Sequence, residues 1–316
     1  MAAPPFDPSS TRQRALGADE TPSTRPDDDD APGPKPFLKW AGGKWSLAAE
    51  IAKKMPADLK GRVYREPFLG GGAMFFWLSH RVGAKRYVLS DALDDLVTTY
   101  EVVRDQPEAL IAELETLRDD HSEETFYSVR DKFNGRTKKP LKRAAWLIYL
   151  NKTCFNGLYR TNRAGVFNVP MGRYANTPNI ANARRIRAAS EALKDVDISC
   201  APFEELRQKA EPGDVIYLDP PYVPLTRTAN FDSYAGGAFG RAQQEQLADL
   251  YRELDKRGCL LVLSNSETPE VRELYRGFEI DVITAARNIS SRGSTRGSVT
   301  EVLVRNTRSW PPSALR

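Results

Sequence analysis

Asp214-Val215-Ile216-Tyr217-Leu218-Asp219-Pro220-Pro221-Tyr222 is an apolar run that stops at an acid, two prolines and an aromatic ring. Val215 to Leu218 has the length and unalternating β-rich character of a strand buried on both faces of a parallel sheet. Ligand chemistry in such sheets gathers at the carboxyl ends of strands, so Asp219, Pro220, Pro221 and Tyr222 stand where chemistry is expected. The prolines have no N–H and a fixed φ, so the chain leaves the sheet along a stiff, extended path. That leaves the Asp219 carboxylate and the Pro220 carbonyl as acceptors. An exocyclic amino group on a nucleobase carries two N–H donors and a delocalised lone pair. Two converging acceptors would satisfy the donors and favour the lone pair turning toward an electrophile, and Tyr222 offers a ring for the base to stack on. Taken alone, Asp-Pro-Pro-Tyr is equally a strand followed by a proline turn, because short motifs match by chance.

The surrounding chain supplies the second signal. Order is expected to begin at Phe37-Leu38-Lys39-Trp40-Ala41-Gly42-Gly43-Lys44, where two glycines let backbone N–H groups approach a ligand, followed by a helical pattern over Trp45 to Met55. A strand at Arg62 to Arg65 leads into Glu66-Pro67-Phe68-Leu69-Gly70-Gly71-Gly72 and a helix over Ala73 to Leu78. Strand, tight glycine loop and helix is the layout of a nucleotide or cofactor loop. About 20 residues beyond the first glycine the strand Tyr87 to Ser90 ends in Asp91, the place from which an acid accepts ribose hydroxyls in Rossmann-like sites. The glycine run lacks the dinucleotide G-x-G-x-x-G spacing and a Walker lysine, which suits a nucleoside cofactor without a phosphate to cradle.

From Ala92 to about Thr153 the pattern turns helical, over Leu93 to Val103, Pro107 to Leu117, Thr125 to Phe133 and Pro140 to Leu150, with Pro107 and Pro140 at first turns. These helices interrupt the β/α alternation and read as an insertion. Cys154 to Tyr174 is polar and aromatic, punctuated by Gly157, Gly165 and Gly172, and reads as a hairpin or long loop. Strands are expected again at Val196 to Ala201, Leu260 to Leu263, Glu279 to Thr284 and Thr300 to Val304, with helices at Arg241 to Lys256 and Pro269 to Tyr275. The segment between Tyr222 and Arg241 could close over a substrate. The loop Asn288 to Ser298, with Arg292 and Arg296, fits a second phosphate contact or a solvated hairpin tip equally well.

Charge is unevenly spread. Between Arg130 and Arg187 stand 14 Lys and Arg residues against one acid, Asp131, whereas the rest of the chain has 32 basic and 41 acidic residues. A basic stripe interleaved with Phe155, Tyr159, Phe167 and Tyr174 has the footprint of a nucleic-acid surface, with cations for phosphates and rings for bases; the alternative is a solvated basic face. Residues 1–34 hold three arginines against seven acids and almost no large apolar side chain, so they are expected as a disordered acidic tail. The formal charge of +4 is therefore carried by +8 on the remainder.

Length and composition bound the rest. The 316 residues, 41% of them hydrophobic, suffice for one large α/β domain with an elaboration or for two modest domains. Without an apolar run of about 18 residues or an apolar leader, a cytoplasmic protein with no membrane contact is expected. Cys154, Cys200 and Cys259 are odd in number and far apart, which argues against disulfides or a zinc cage. His80 and His121 are the only histidines, so histidine chemistry is not expected and no metal is called for.

The Phe37 to Lys44 block, Glu66-Pro67-Phe68-x-Gly-x-Gly and Asp219-Pro220-Pro221-Tyr222, in this order and with a basic insertion before the last, resemble the Dam-type DNA adenine N6-methyltransferases of the D12 class. The resemblance runs from about Pro36 to Val304. It implies a seven-stranded Rossmann-like α/β methyltransferase domain with an inserted, mainly helical DNA-recognition domain containing a hairpin. The corresponding division is residues 35–93 and 181–310 for the catalytic part, 94–180 for the insertion and 311–316 for a closing tail. It implies S-adenosylmethionine as cofactor, double-stranded DNA as partner, a monomer, and methylation of the adenine amino group within GATC.

By the same resemblance, Trp40, Lys44, Asp91 and Asp219 lie around the cofactor, with Pro67, Phe68, Gly70 and Gly72 in the loop beneath it and Phe203 against its adenine. Phe155 corresponds to an aromatic wedge in the base stack and stands where the enterobacterial members have Tyr; Thr153-Cys154 departs from those members too. Leu158, Arg160 and Pro170 correspond to base-contacting positions, with Lys39 and Tyr174 at the other end of the site. Asn156, Asn162 and Asn168 complete the DNA-reading hairpin. Arg can take guanine bidentately and Pro can pack on a thymine methyl, so the assignment is chemically coherent. Two rival readings remain: an amino-methyltransferase acting on cytosine N4, RNA or a protein amide, and a catalytically silent DNA-binding protein. The intact Asp219 to Tyr222 stretch and the glycine loop argue against the second.

Overall fold

A computed structural model describes residues 33–174, 176–223, 239–286 and 298–315. The acidic tail up to residue 32, most of the segment between Tyr222 and Arg241, and most of the Asn288 to Ser298 loop lie outside the described residues.

Seven strands form one sheet: β1 (Val63–Glu66), β2 (Arg86–Asp91), β3 (Asp197–Cys200), β4 (Val215–Leu218), β5 (Leu260–Ser266), β6 (Glu279–Ala286) and β7 (Ser298–Arg305). Their order across the sheet is β3-β2-β1-β4-β5-β7-β6. The first five are parallel, and β7 runs antiparallel between β5 and β6. This is the α/β architecture with seven strands that the sequence implies. The chain builds outward from β1 to β3 and then returns to place β4 on the other side of β1. A crevice therefore opens at the carboxyl ends of β1 and β4, the position where ligands bind open α/β sheets.

β4 shows why a strand with no polar alternation was the informative one. Val215 and Tyr217 pack into one core with Phe75, Leu96 and Tyr100, whereas Ile216 and Leu218 pack into a second core with Leu247, Tyr251 and Val271. Alternate residues point to opposite faces, so a strand covered by helices on both sides must be apolar throughout. The first face is covered by α1 (Ala48–Ala52), α2 (Ala73–Arg81), α3 (Asp94–Asp105) and α7 (Ala183–Leu193). The second is covered by α8 (Leu206–Lys209), α9 (Arg241–Arg257) and α10 (Pro269–Leu274).

Between α3 and α7 lie α4 (Pro107–Asp119), α5 (Glu123–Asn134) and α6 (Pro140–Thr153). α6 is buried from Leu147 through Thr153, so α3, α4 and α5 pack around it. After α6, residues 154–174 fold back on themselves through antiparallel bridges at Cys154–Met171 and Thr161–Phe167, with a turn at Asn162 to Gly165.

Two differences from the sequence expectations have physical causes. The pattern over Trp45 to Met55 yields a 3-10 turn at Trp45–Leu47 and the five-residue α1, because Pro56 disfavours helical backbone at Met55 and its approach tightens the last turn. α7 was not anticipated: its stretch is dominated by Arg and Ala, and its buried stripe of Ile186, Ala189, Ser190 and Leu193 has only two large apolar members. Its start was nevertheless written in Asn182, whose side chain accepts the Arg185 N–H at 3.0 Å. In the closing tail, Ala314 is buried and its carbonyl accepts the Ala57 N–H at 3.0 Å.

Tertiary structure also tempers the basic stripe. Asp95 of α3 takes Arg143 in a two-pronged pair at 2.5 and 2.7 Å, Glu113 of α4 takes Lys142 at 2.6 Å, and Glu108 of α4 takes Arg187 at 2.7 Å. These acids lie outside the counted segment but fold against it.

Candidate active site and nucleic-acid interface

Parallel pairing brings the carboxyl ends of β1, β2 and β4 side by side, so Glu66, Asp91 and Asp219 stand at one edge of the sheet. The turn after β1 is held to the end of β2: Asp91 Oδ2 accepts the Gly70 N–H at 3.0 Å and Oδ1 accepts the Leu93 N–H at 3.0 Å. Burial raises the Asp91 carboxyl, while these backbone N–H groups pull it back. Each oxygen keeps further lone pairs for a ligand.

The glycines of this turn are required by close approach. A Cβ on Gly70, which has φ +48°, would lie 2.9 Å from Cδ1 of Trp40, and one on Gly72, at φ +66°, would lie 2.7 Å from the Tyr100 hydroxyl. The Trp40 ring stacks on Tyr159 at 5.8 Å between centroids, which ties the glycine turn to the chain after α6. On the other side Phe68 stacks on Phe203 at 5.4 Å, and Phe239 meets both edge-on or tilted. Pro67 and Phe68 thus leave β1 toward an aromatic wall that includes one ring, Phe239, not anticipated from the sequence.

Asp219 projects from the end of β4 with 18% of its side chain exposed. Lys44, itself buried, places its ammonium 3.1 Å from Oδ1, an ion-pair distance, yet Oδ1 has no hydrogen-bond partner, so the contact is not aligned for donation. Burial pushes the Asp219 carboxyl up to about 6 even though Lys44 opposes the shift. The same ammonium lies 4.4 Å from the centre of the Tyr222 ring and donates to the Gly42 carbonyl. Lys44, Asp219 and Tyr222, separated by up to 178 positions in sequence, therefore form one cluster.

Several side chains in and around this cluster carry no role in the sequence expectations. Glu66 is 3% exposed, accepts the Tyr64 hydroxyl at 2.8 Å and is pushed up to about 8, chiefly by burial and further by the nearby Asp219. Glu301 of β7 accepts the Tyr222 hydroxyl at 2.9 Å. Burial, with the Asp219 and Glu301 carboxylates beside it, holds that hydroxyl protonated far above neutrality.

A buried polar network secures the chain on either side of Tyr222. Gln244 donates to the Pro221 carbonyl at 2.7 Å, Asn265 accepts the Val223 N–H at 3.2 Å and donates to Gln244 at 3.2 Å, and the Ser266 hydroxyl donates to the Val223 carbonyl at 2.7 Å. Only Ser266 sits at a strand end that topology would flag. Gln244 and Asn265 carry no motif that sequence reading could have used.

The expected DNA-reading residues lie at Lys39 and along the folded-back segment after α6, which Trp40 joins to the glycine turn through Tyr159. Phe155 is 46% exposed and Tyr174 is 37% exposed, unusual for large rings. Asn156, Asn162, Asn168 and Pro170 are also exposed, and Leu158 and Arg160 are half-buried. The Lys39 ammonium lies 5.5 Å from the Tyr174 ring, and the Tyr174 hydroxyl donates to the Cys154 carbonyl. Arg160 is oriented by Asn168 at 2.8 Å, while Asn162 spends its side-chain oxygen on the N–H groups of Ala164 and Val166 at 3.0 and 3.1 Å, shaping the turn. Among the described residues no helix is long and apolar enough to cross a membrane, and no group of three His, Cys, Asp or Glu side chains is arranged to hold a metal.

Over residues 40–289 the sequence matches the family of D12 class N6 adenine-specific DNA methyltransferases. A Type II methyltransferase of Methanocaldococcus jannaschii is 42% identical over 286 residues, which cover 86% of this chain and 99% of that protein. A DNA adenine methylase of Vibrio cholerae is 37% identical over 270 residues, covering 84% of this chain and 94% of its own length. A DNA adenine methylase of Escherichia coli is 35% identical over 269 residues, covering 84% and 93%. The family match takes in Trp40, Asp91, Asp219 and Tyr222, whereas Lys39 and Glu301 fall outside it.

Proposed function

This chain belongs to the D12 class of N6 adenine-specific DNA methyltransferases, and on that footing we propose that it transfers the methyl group of S-adenosylmethionine to the N6 amino group of an adenine flipped out of double-stranded DNA, within GATC. The observation that carries the reading is the Asp219 cluster: a strand-end carboxylate, one oxygen of which has no hydrogen-bond donor, set beside the Tyr222 ring.

The residues present suit the cofactor. Trp40, Pro67, Phe68, Gly70 and Gly72 would form the bed of its site, Asp91 would accept its ribose hydroxyls, Phe203 would face its adenine, and Lys44 and Asp219 would border its reactive end. The fit rests on a glycine turn that a Cβ would close and on an unsatisfied acceptor at Asp219. When bound, S-adenosylmethionine supplies a sulfonium methyl group that is already activated, so no nucleophilic side chain or metal is needed.

What the chain contributes is positioning. Extruding the adenine costs a few kcal/mol, which phosphate contacts and insertion of Phe155 into the base stack offset. Tyr222 stacks on the extruded base. Asp219 and the Pro220 carbonyl accept the two N–H bonds of its amino group, which turns the nitrogen lone pair out of conjugation and aims it along one line, and the Asp219 carboxylate is placed to take the proton that the alkylated nitrogen sheds. Pro221 keeps the backbone extended, so the two acceptors converge. Lys39, Leu158, Arg160, Pro170 and Tyr174 read the flanking bases, with Asn156, Asn162 and Asn168 shaping and lining the hairpin.

The test is incubation of the purified chain with methyl-labelled S-adenosylmethionine and duplexes that contain one GATC or its scrambled counterpart, followed by location of the methylated base. Label on the adenine of GATC alone is the expected result. Label on adenine elsewhere would discard the sequence assignment, and label on cytosine or RNA in competition would discard the acceptor.

A further inference from the structure

We propose that Asn151, on the last turn of α6, is a positioning residue for sequence reading, acting through Lys39 and Phe155 without touching DNA itself; the inference rests on the function proposed above. Asn151 is 3% exposed, so it is not available to a ligand. Its side-chain oxygen accepts the Lys39 N–H at 2.8 Å, and its side-chain nitrogen donates to the Lys39 carbonyl at 2.6 Å. The carboxamide thus pairs with the Lys39 backbone as a neighbouring strand would. Its second N–H goes to the Gly157 carbonyl at 2.9 Å. One buried side chain joins two segments that both present candidate base-reading groups.

The packing around it leaves little alternative. Gly157 has φ +65°, and a Cβ there would lie 2.7 Å from Cβ of Lys39, so the 3-10 turn Phe155–Gly157 sits directly on Lys39. Asn156 holds a left-handed backbone, φ 55°, which asparagine tolerates better than most other non-glycine residues. Phe155 N–H donates to the Pro170 carbonyl at 2.9 Å, which carries the constraint across to the far limb of the hairpin. Asn151 therefore holds both the turn that carries the exposed Phe155 ring and the Lys39 backbone, whose ammonium lies beside the Tyr174 ring. Aspartate at this position would keep the acceptor for Lys39 N–H but would set a carboxylate oxygen against two carbonyls.

The experiment compares wild type, N151A, N151D, K39A and the double variant N151A/K39A. For each, kcat and KM are measured on a duplex carrying the preferred site and on one altered at a single flanking base pair, together with cofactor affinity and Tm. The expected result is that N151A and N151D reduce the ratio of kcat/KM between the two duplexes by about ten-fold, the worth of one good base contact. Cofactor affinity should stay within about two-fold, and N151A should add less discrimination loss to K39A than it causes in the wild-type background, because part of its effect runs through Lys39. A folded N151A or N151D enzyme with unchanged discrimination would overturn the proposal, as would equal losses on both duplexes that simply follow Tm. Should N151D fail to fold, N151A carries the same comparison. A wild-type chain that methylates no duplex would instead overturn the functional reading and this inference with it.

Discussion

The Lys44 ammonium lies 3.1 Å from Oδ1 of Asp219 and 4.4 Å from the centre of the Tyr222 ring, so the cation is shared between the carboxylate and the ring beside it. Burial raises the Asp219 carboxyl to about 6 and Lys44 holds it from rising further. Only the ionised carboxylate offers full acceptor capacity to an amino group, so methyl transfer should fall as pH drops through about 6. Replacing Lys44 by Met removes the opposing cation and should move the acid limb of the kcat profile to higher pH. D219A should abolish transfer and retain DNA binding, measured by a gel-shift or anisotropy titration; a folded D219A protein that no longer binds DNA would contradict the division of labour.

The Glu66 carboxyl is raised in the same direction as that of Asp219, and further, which bears on stability. It keeps its proton to about pH 8 in the folded chain, whereas the ordinary value of 4.5 applies once the chain unfolds. The raised value means that whatever stability this group contributes is present in full below about pH 4.5 and is lost as pH rises through about 8. A neutral replacement of the same shape escapes that loss. E66Q should therefore unfold at nearly the wild-type temperature at pH 4.5 and several degrees higher at pH 8, followed by calorimetry.

Tyr222 separates ring from hydroxyl. Y222F keeps the stacking face and loses the bond to Glu301, so kcat should fall modestly and KM for DNA should barely change. Y222A removes the ring and should cost about 1–3 kcal/mol of transition-state binding, the usual worth of stacking one base. Steady-state kinetics with a fluorescent base analogue at the target position distinguishes the two, because only Y222A should leave the extruded base unstacked.

Asn265 is fully buried and supports the backbone at Val223 and Ser266 as well as Gln244. N265A leaves those partners unsatisfied in the interior, each at about 1–3 kcal/mol. A fall in Tm with a disproportionate loss of kcat is expected. Loss of stability with wild-type kcat per folded molecule would show that the network braces the sheet without aligning the strand-end motif.

The fold was legible in particular residues. The unbroken apolar run from Val215 to Leu218 required a strand covered on both faces, and Pro220 and Pro221 required that the sheet end there; both hold because strand burial and proline φ are local constraints. The glycine turn was equally legible, since Gly70 and Gly72 occupy positive φ. α7 was not, because its short apolar stripe becomes a signal only when α3 and α4 are present to cover it.

Chemistry followed the same division. The identity of Asp219, Tyr222, Asp91 and Phe155 as candidates was determined by motif order and residue type, since both are properties of the chain read locally. Their company was decided in three dimensions. Lys44 meets Asp219, Glu301 meets Tyr222, Asn151 meets Lys39 and Asp95 meets Arg143 across gaps of 48 to 175 residues, set by strand order and helix packing. Burial, likewise, is a property of the assembled core, and it is burial that moves Glu66 and Asp219 away from ordinary carboxyl behaviour.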